Sequence, residues 1–116
     1  MPDCLLILLP AYPAQEAQEV DRLHAQAAWM ASTFPGRCWI GLTLLQRAFD
    51  ETHRTGVEEV ALQHGLPVVA AGHVCMHVRS RKPLHDTLNA IRLGKPVGEC
   101  GYELGQNAEQ RLRSRL

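Results

Sequence analysis

Three residues that could bind a metal ion lie close together in the second half of the chain. His73, Cys75 and His77 follow a short apolar run, Leu66 to Ala71, that is typical of a buried strand. Imidazole and thiolate are ligands that zinc accepts, and ligand-binding groups gather just past the C-terminal ends of parallel strands. The sequence therefore places a candidate site at this segment, with zinc or another divalent metal as the ion it could hold.

The spacing of these residues limits what they can do. On an extended chain the three side chains would point to the same side, but His73 and His77 would lie about 13 Å apart at about 3.3 Å per residue. A zinc ion needs ligand atoms at about 2 Å, and a closed site needs four of them. Two residues could share an ion, and all three could do so only if the chain bends. We name no catalytic residue and expect no bound cofactor.

A basic segment follows directly. Arg79, Arg81 and Lys82 could contact a phosphate backbone, although no aromatic residues lie between them to stack on bases. Residues 66–116 hold eight basic and four acidic residues, and residues 1–65 hold the reverse. The C-terminal half could thus face DNA or an acidic partner, or it could simply be a solvated face.

The elements that would position these residues alternate between strand and helix patterns. Apolar runs predict strands at Cys4 to Leu9, Cys38 to Leu45 and Leu66 to Ala71, and Gly41 could allow close backbone approach. Helices are expected from Pro13 to just before Phe34, from a capping box at Thr55 to Glu58 as far as Gly65, from Pro83 to Leu93, and after an N-cap at Asn107. The order β-α-β-α-β-α-α predicts an α/β fold with about three parallel strands and flanking helices.

Helical spacing indicates which residues face inward. The expected inward residues are Val20, Leu23, Ala27 and Met30 in the first helix, Val57, Val60, Ala61 and His64 in the second, and Leu84, Leu88 and Ile91 in the third. Because the third strand leads directly to a well-terminated helix, we expect this last unit to be the most stable part. His24, His53, His64 and His85 are scattered and are interpreted as surface or core residues.

Size and composition favour one globular domain, residues 1–116, in the cytoplasm. The chain has 116 residues, of which 46% are apolar. The four cysteines form no C-x-x-C pair, and no apolar run approaches the roughly 20 residues of a membrane span. A three-stranded parallel sheet leaves two apolar edges, which predicts a homo-oligomer formed through a strand edge.

A family resemblance covers nearly the whole chain. The segments PDCLLILLP, FPGRCWIGLTLL and GLPVVAAGHVCMHVRSRKPLHDTLNAIRLG, together with the residues that follow the last of them, resemble the end of the PHP (polymerase and histidinol phosphatase) domain of bacterial error-prone DNA polymerases. These are DNA repair polymerases of the polymerase III alpha-subunit class. The resemblance implies that the chain is the C-terminal part of a PHP-like domain, a partial β/α barrel.

The resemblance also implies a function. The chain would be a non-catalytic segment of a translesion polymerase acting in DNA repair and replication, with a structural role toward the rest of the polymerase, its accessory proteins or DNA. The acidic residues used for nucleotidyl transfer lie elsewhere in that family, so the segment would have no activity alone.

At the metal-binding position, PHP domains carry an Asp-x-His motif. Here His73 replaces the aspartate and Cys75 replaces the histidine, while His77 matches a second histidine common in the error-prone branch. The alternative function is a small metal-dependent phosphoesterase-like protein that uses these three residues.

Overall fold

The computed structural model describes residues 3–12 and 17–114. These residues gather into two compact units. The N-terminal unit takes the described residues of Met1–Leu44 and Ala48–Ala71, and the C-terminal unit takes those of Leu45–Arg47 and Gly72–Leu116. That the whole chain forms a single domain stays a prediction.

A parallel sheet of three strands organises the N-terminal unit. The strands are β1 (Leu6–Leu8), β2 (Cys38–Leu42) and β3 (Val68–Ala70), in the order β1-β2-β3. Their register aligns Leu8 with Ile40 and Ile40 with Val68. The three predicted parallel strands are confirmed, but each is shorter than its apolar run because the strand pairing ends before the apolar residues do. A PHP-type barrel is not confirmed, since the described residues form an open sheet.

Two helices pack on one face of this sheet. They are α1 (Ala17–Thr33) and α2 (Asp50–His64). Their apolar sides meet alternate strand residues in one core cluster, formed by Leu23, Ala27, Met30, Cys38, Ile40, Val57, Val60, Ala61 and Leu66. Most of the predicted inward residues are therefore confirmed. The predicted end of α1 before Phe34 is also confirmed, while its predicted start at Pro13 lies outside the described residues.

The N-terminus of α2 differs from the prediction. The helix begins at Asp50, so Thr55 and Glu58 lie inside it and do not form a capping box. The Thr55 hydroxyl donates to the carbonyl oxygen of Glu51 at 3.0 Å, and Glu58 accepts from Arg54 at 3.0 Å. Both contacts join residues one turn apart, which is where helical geometry brings side chains together.

The opposite face of the sheet is apolar and exposed. Leu5, Ile7 and Leu9 are 70%, 54% and 53% exposed. Gly41 lies on this face of β2, where an added Cβ would stand 2.6 Å from Cδ2 of Leu9 and 3.2 Å from Cγ2 of Ile7. The atoms that approach Gly41 closely are side-chain atoms and not the backbone atoms that the sequence predicted, and they fill the space that a larger residue would need.

The C-terminal unit is built around one helix. A short 3-10 helix, Arg79–Arg81, leads into α3 (Lys82–Leu93), and two further 3-10 turns follow at Val97–Glu99 and Gly101–Glu103. The helix ends at Gly94 with φ of 68°, in the left-handed region that favours glycine. This end, and the matching end of α2 at Gly65, were both predicted.

Two predictions for this unit are wrong. Leu84, Leu88 and Ile91 are 52%, 58% and 71% exposed, and α3 belongs to a different unit from β3. The predicted last helix does not form in residues 104–114, where Asn107 instead donates to the carbonyl oxygen of Leu45 at 2.6 Å.

The described residues contain no helix with the length and apolar character that crossing a membrane requires.

Candidate functional site

The backbone from His73 to His77 bends at its first residue. His73 has a φ of 43°, so it leaves the extended conformation that would have set the three candidate side chains on one side. The next residues are tied to the end of the chain, because the amides of Cys75 and Met76 both donate to the carbonyl oxygen of Gln110, at 2.9 and 3.1 Å. The pairing continues where the amide of Leu112 donates to the carbonyl oxygen of Met76. This short parallel bridge fixes where Cys75 and His77 stand.

The metal candidates do not come together as a ligand set. Within residues 3–12 and 17–114, no three His, Cys, Asp or Glu side chains lie close enough to hold one ion. Cys75 is exposed, and its thiol lies 3.6 Å from the carbonyl oxygen of His73. Cys75 and His77 do share a groove, described below.

Two of the three basic candidates hold ion pairs within the unit. The Arg79 guanidinium donates to Oε1 of Glu109 at 2.7 Å, and Lys82 donates to Oδ2 of Asp86 at 2.5 Å. Glu109 is buried, at 6% exposure, and its second oxygen accepts from Arg113 at 3.2 Å. These ion pairs hold Arg79 and Lys82 within the unit, whereas among the described residues Arg81 forms no ion pair with a carboxylate.

A groove of about 240 Å³ opens between the bridge and the first turns of α3. Polar groups on its wall come from Cys75, His77, Arg81 and His85, and the remaining wall is apolar, from Met76, Leu84 and Leu88. No acidic residue lines it. A concave surface with a few convergent polar groups on an apolar wall is the usual form of a small-ligand site.

His85 is the site residue that sequence reasoning missed. It was interpreted as a surface or core histidine, yet it lines the groove one turn after Arg81. Nδ2 of Asn89 lies 3.3 Å from both ring nitrogens of His85 and 3.2 Å from its carbonyl oxygen. The spacing of four between Arg81, His85 and Asn89 was the available signal, because residues four apart on a helix are neighbours.

A second concave surface lies elsewhere in the same unit. It has a volume of about 590 Å³ and is lined by Lys82, Gly101, Tyr102, Leu104, Gly105 and Gln106. Its one charged side chain, Lys82, is already held by Asp86. The groove at Arg81 is therefore the stronger candidate for binding a charged ligand.

Comparison with known proteins finds relatives along the full chain. The chain is 60% identical over 116 residues to the error-prone DNA polymerase of Bordetella parapertussis, covering 100% of this chain and 11% of the relative. It is 50% identical over 115 residues to the error-prone DNA polymerase of Burkholderia mallei, covering 99% of this chain and 10% of the relative. No family model matches the chain.

A more distant relative agrees with these two. The error-prone DNA polymerase of Dechloromonas aromatica is 39% identical over 116 residues, covering 100% of this chain and 10% of the relative. The chain thus spans about a tenth of the length of the relatives it matches. Proteins named error-prone DNA polymerase cover this chain at 39 to 60% identity, always as a small part of a larger protein.

Proposed function

We propose that the chain is a non-catalytic structural segment of an error-prone DNA polymerase that acts in DNA repair by translesion synthesis. The observation that carries this proposal is the similarity of the whole chain to one short part of much longer polymerases, at up to 60% identity. Its role in such a protein is to complete a larger β/α domain and so to support the rest of the polymerase.

The sheet supports this role through its edges. In the order β1-β2-β3, each outer strand pairs on one side only among the residues that the structure describes. Such edges are ready to pair with further strands. A polymerase about nine times longer than this chain can supply those strands from outside the matched segment.

The uncovered face of the sheet supports the same role. Both α1 and α2 pack on the face that holds Ile40, and Ile7 lies on the other face, 54% exposed. Sequential parallel strands with helices on one side are the units from which β/α barrels are built, and a barrel interior is filled with apolar side chains. The exposed face would become part of that interior, which agrees with the PHP-type resemblance.

Co-purification with the rest of a polymerase tests the proposal. The Bordetella parapertussis relative, with its matching segment deleted and a tag added, should capture the 116-residue chain when the two are co-expressed. Ile7→Lys should abolish capture, because a charge on the uncovered face cannot enter an apolar interior. Leu62→Lys is the matched control, since Leu62 is 86% exposed on α2. Equal capture of the Ile7→Lys and Leu62→Lys variants would contradict the proposal.

The isolated chain should show neither nucleotide incorporation nor phosphoester hydrolysis. The alternative, a metal-dependent phosphoesterase, draws no support from the positions of His73, Cys75 and His77. Self-association through a strand edge stays a prediction, and light scattering over a concentration series would test it. A chain that stays monomeric at high concentration would contradict it.

A further inference from the structure

We propose that the groove beside α3 binds a phosphomonoester, with Arg81 as its principal ligand and His77 and His85 as supporting donors. The phosphate would belong to a free nucleotide or to the terminal phosphate of a DNA strand. The inference that the groove binds a phosphate rests on the groove itself, and the choice of nucleotides and DNA ends as its source rests on the polymerase function proposed above.

The charges around the groove favour an anion. Arg81, His77 and His85 all line it, and none of the lining residues is acidic. Two carboxylates of this unit already pair with other cations, since Oδ2 of Asp86 accepts from Lys82 and Oε1 of Glu109 accepts from Arg79. Within the described part of the chain, no carboxylate forms an ion pair with Arg81. An incoming anion would therefore meet a guanidinium that has no competing acid.

The chemistry of these side chains fits a phosphate. A guanidinium presents parallel N–H donors that match two phosphate oxygens, and a neutral imidazole donates from one ring nitrogen. A monoester offers three terminal oxygens, which is enough for one bidentate arginine and a histidine. A phosphodiester has two such oxygens, so the groove should prefer a terminal phosphate.

The size and apolar wall define the rest of the ligand. A volume of about 240 Å³ lies below the usual range for drug-sized ligands, which begins at about 300 Å³. The groove can thus hold a phosphate and the sugar attached to it, with any base or further chain outside. Met76, Leu84 and Leu88 provide apolar surface for the carbon atoms of that sugar.

Several contacts hold the donors in place before a ligand arrives. The amide of Met76 is fixed by its bond to Gln110, which sets the wall that carries His77. The ring of His85 is contacted from within α3 by Nδ2 of Asn89, at 3.3 Å from both ring nitrogens. Arg81 stands at the last residue of the 3-10 helix, and its amide donates to the carbonyl oxygen of Val78 at 3.1 Å. A preformed site of this kind loses less entropy on binding.

Fluorescence anisotropy with a labelled trinucleotide tests the proposal. The full 116-residue chain should bind a 3′-labelled trideoxynucleotide with a 5′-phosphate about tenfold more tightly than the same probe with a 5′-hydroxyl. Arg81→Gln should weaken binding of the phosphorylated probe by roughly tenfold to a hundredfold, the range for a hydrogen-bonded charge. His85→Ala should weaken it by a smaller factor.

The matched control is Arg92→Gln, which removes the same charge from α3, the helix that begins directly after Arg81. Arg92 does not line the groove, and its guanidinium lies 3.5 Å from Oδ1 of Asn89. Equal losses for the Arg81→Gln and Arg92→Gln variants would mean general electrostatic attraction and would overturn the proposal. Equal binding of the phosphorylated and hydroxyl probes would overturn it as well.

Competition distinguishes the two sources of the phosphate. Unlabelled thymidine monophosphate should displace the probe if the groove takes free nucleotides. If only an unlabelled 5′-phosphorylated strand displaces it, the groove takes strand ends, and the proposal stands in that form. If neither competitor displaces the probe, the proposal fails. The co-purification experiment is unaffected by each of these results, because it concerns the sheet of the N-terminal unit.

Discussion

In the N-terminal unit, apolar side chains from α1, α2 and the sheet meet in one cluster, and Ile40 and Val57 are completely buried. In the C-terminal unit, the buried residues among those described are Leu45, Met76, Ala90, Cys100 and the charged Glu109. The large side chains of α3 that could form a core, Leu84, Leu88 and Ile91, are exposed. Polar contacts by Glu109 and Asn107 instead join distant parts of that unit.

The difference between the two units shows that an apolar stripe in the sequence of a helix predicts which side of the helix is apolar. It does not predict whether another element packs against that side. In α1, the stripe that contains Leu23 and Ala27 packs against strands of the same unit. In α3, a stripe of similar spacing packs against little within the described residues. Substitutions in each unit can therefore show which contacts stabilise that unit.

The largest effect is expected from Ile40→Ala in the centre of the sheet. Ile40 is 0% exposed, so its truncation should lower the free energy of unfolding by roughly 2 to 5 kcal/mol. Urea unfolding followed by circular dichroism measures this loss. The matched control is Ile7→Ala, on the uncovered face of the same sheet, which should cost clearly less. Equal losses would contradict the one-sided core.

A smaller effect is expected from Glu109→Gln in the C-terminal unit. The substitution keeps the shape of the side chain but removes the charge that accepts from Arg79 and Arg113. Because both arginines are about half exposed, we expect a loss of only about 1 to 2 kcal/mol. Amide hydrogen exchange at residues 75–77 and 110–112 measures the local stability of this unit.

The control for this substitution is Glu103→Gln. Glu103 pairs with Lys95 at 2.9 Å on the surface, and both side chains are 47% exposed. The hydrogen bond to Glu103 and the attraction between the two charges raise the pKa of Lys95. A raised pKa means that the contribution is present at neutral pH and is lost as the pH rises through the raised value. A loss for Glu103→Gln as large as that for Glu109→Gln would contradict the role given to burial.

The smallest effect is expected from Leu88→Ala on α3. Leu88 is 58% exposed, so the free energy of unfolding should change by no more than about 0.5 kcal/mol. Ala90→Leu sharpens the test, because Ala90 is 3% exposed on the same helix and overpacking there should cost about 1 to 3 kcal/mol. A loss above about 2 kcal/mol for Leu88→Ala would mean that the stripe is covered.

The sequence predicts the N-terminal unit well because its determinants are local. Gly65 ends α2 with φ of 67°, a conformation that glycine adopts without strain, and the stripe of α1 meets strands close to it in the sequence. The order of strands and helices follows from the same short-range patterns. The strand ends were predicted less well, since backbone pairing and not apolar character decides them.

The C-terminal unit was predicted poorly because its contacts join residues that are distant in the sequence. Asn107 has the side chain of a helix N-cap and does bind the amide of Glu109 at 3.0 Å, yet no helix follows. The pairing of Arg79 with Glu109 spans 30 residues and has no sequence signature. For the candidate groove, His77 and Arg81 were named from the sequence, while His85 was found only when the helix placed it beside them.

Each of the two units is made of two separate stretches of the chain, which affects how the protein can be divided into fragments. Leu45–Arg47 belongs to the C-terminal unit, although the residues on both sides of it belong to the other unit. A piece that starts at Gly72 would lack the Leu45 carbonyl group that Asn107 binds at 2.6 Å. The complementary piece would keep Leu45, which is 2% exposed in the intact chain, without the rest of its unit. No single cut releases either unit whole, so truncation at this boundary would damage both fragments.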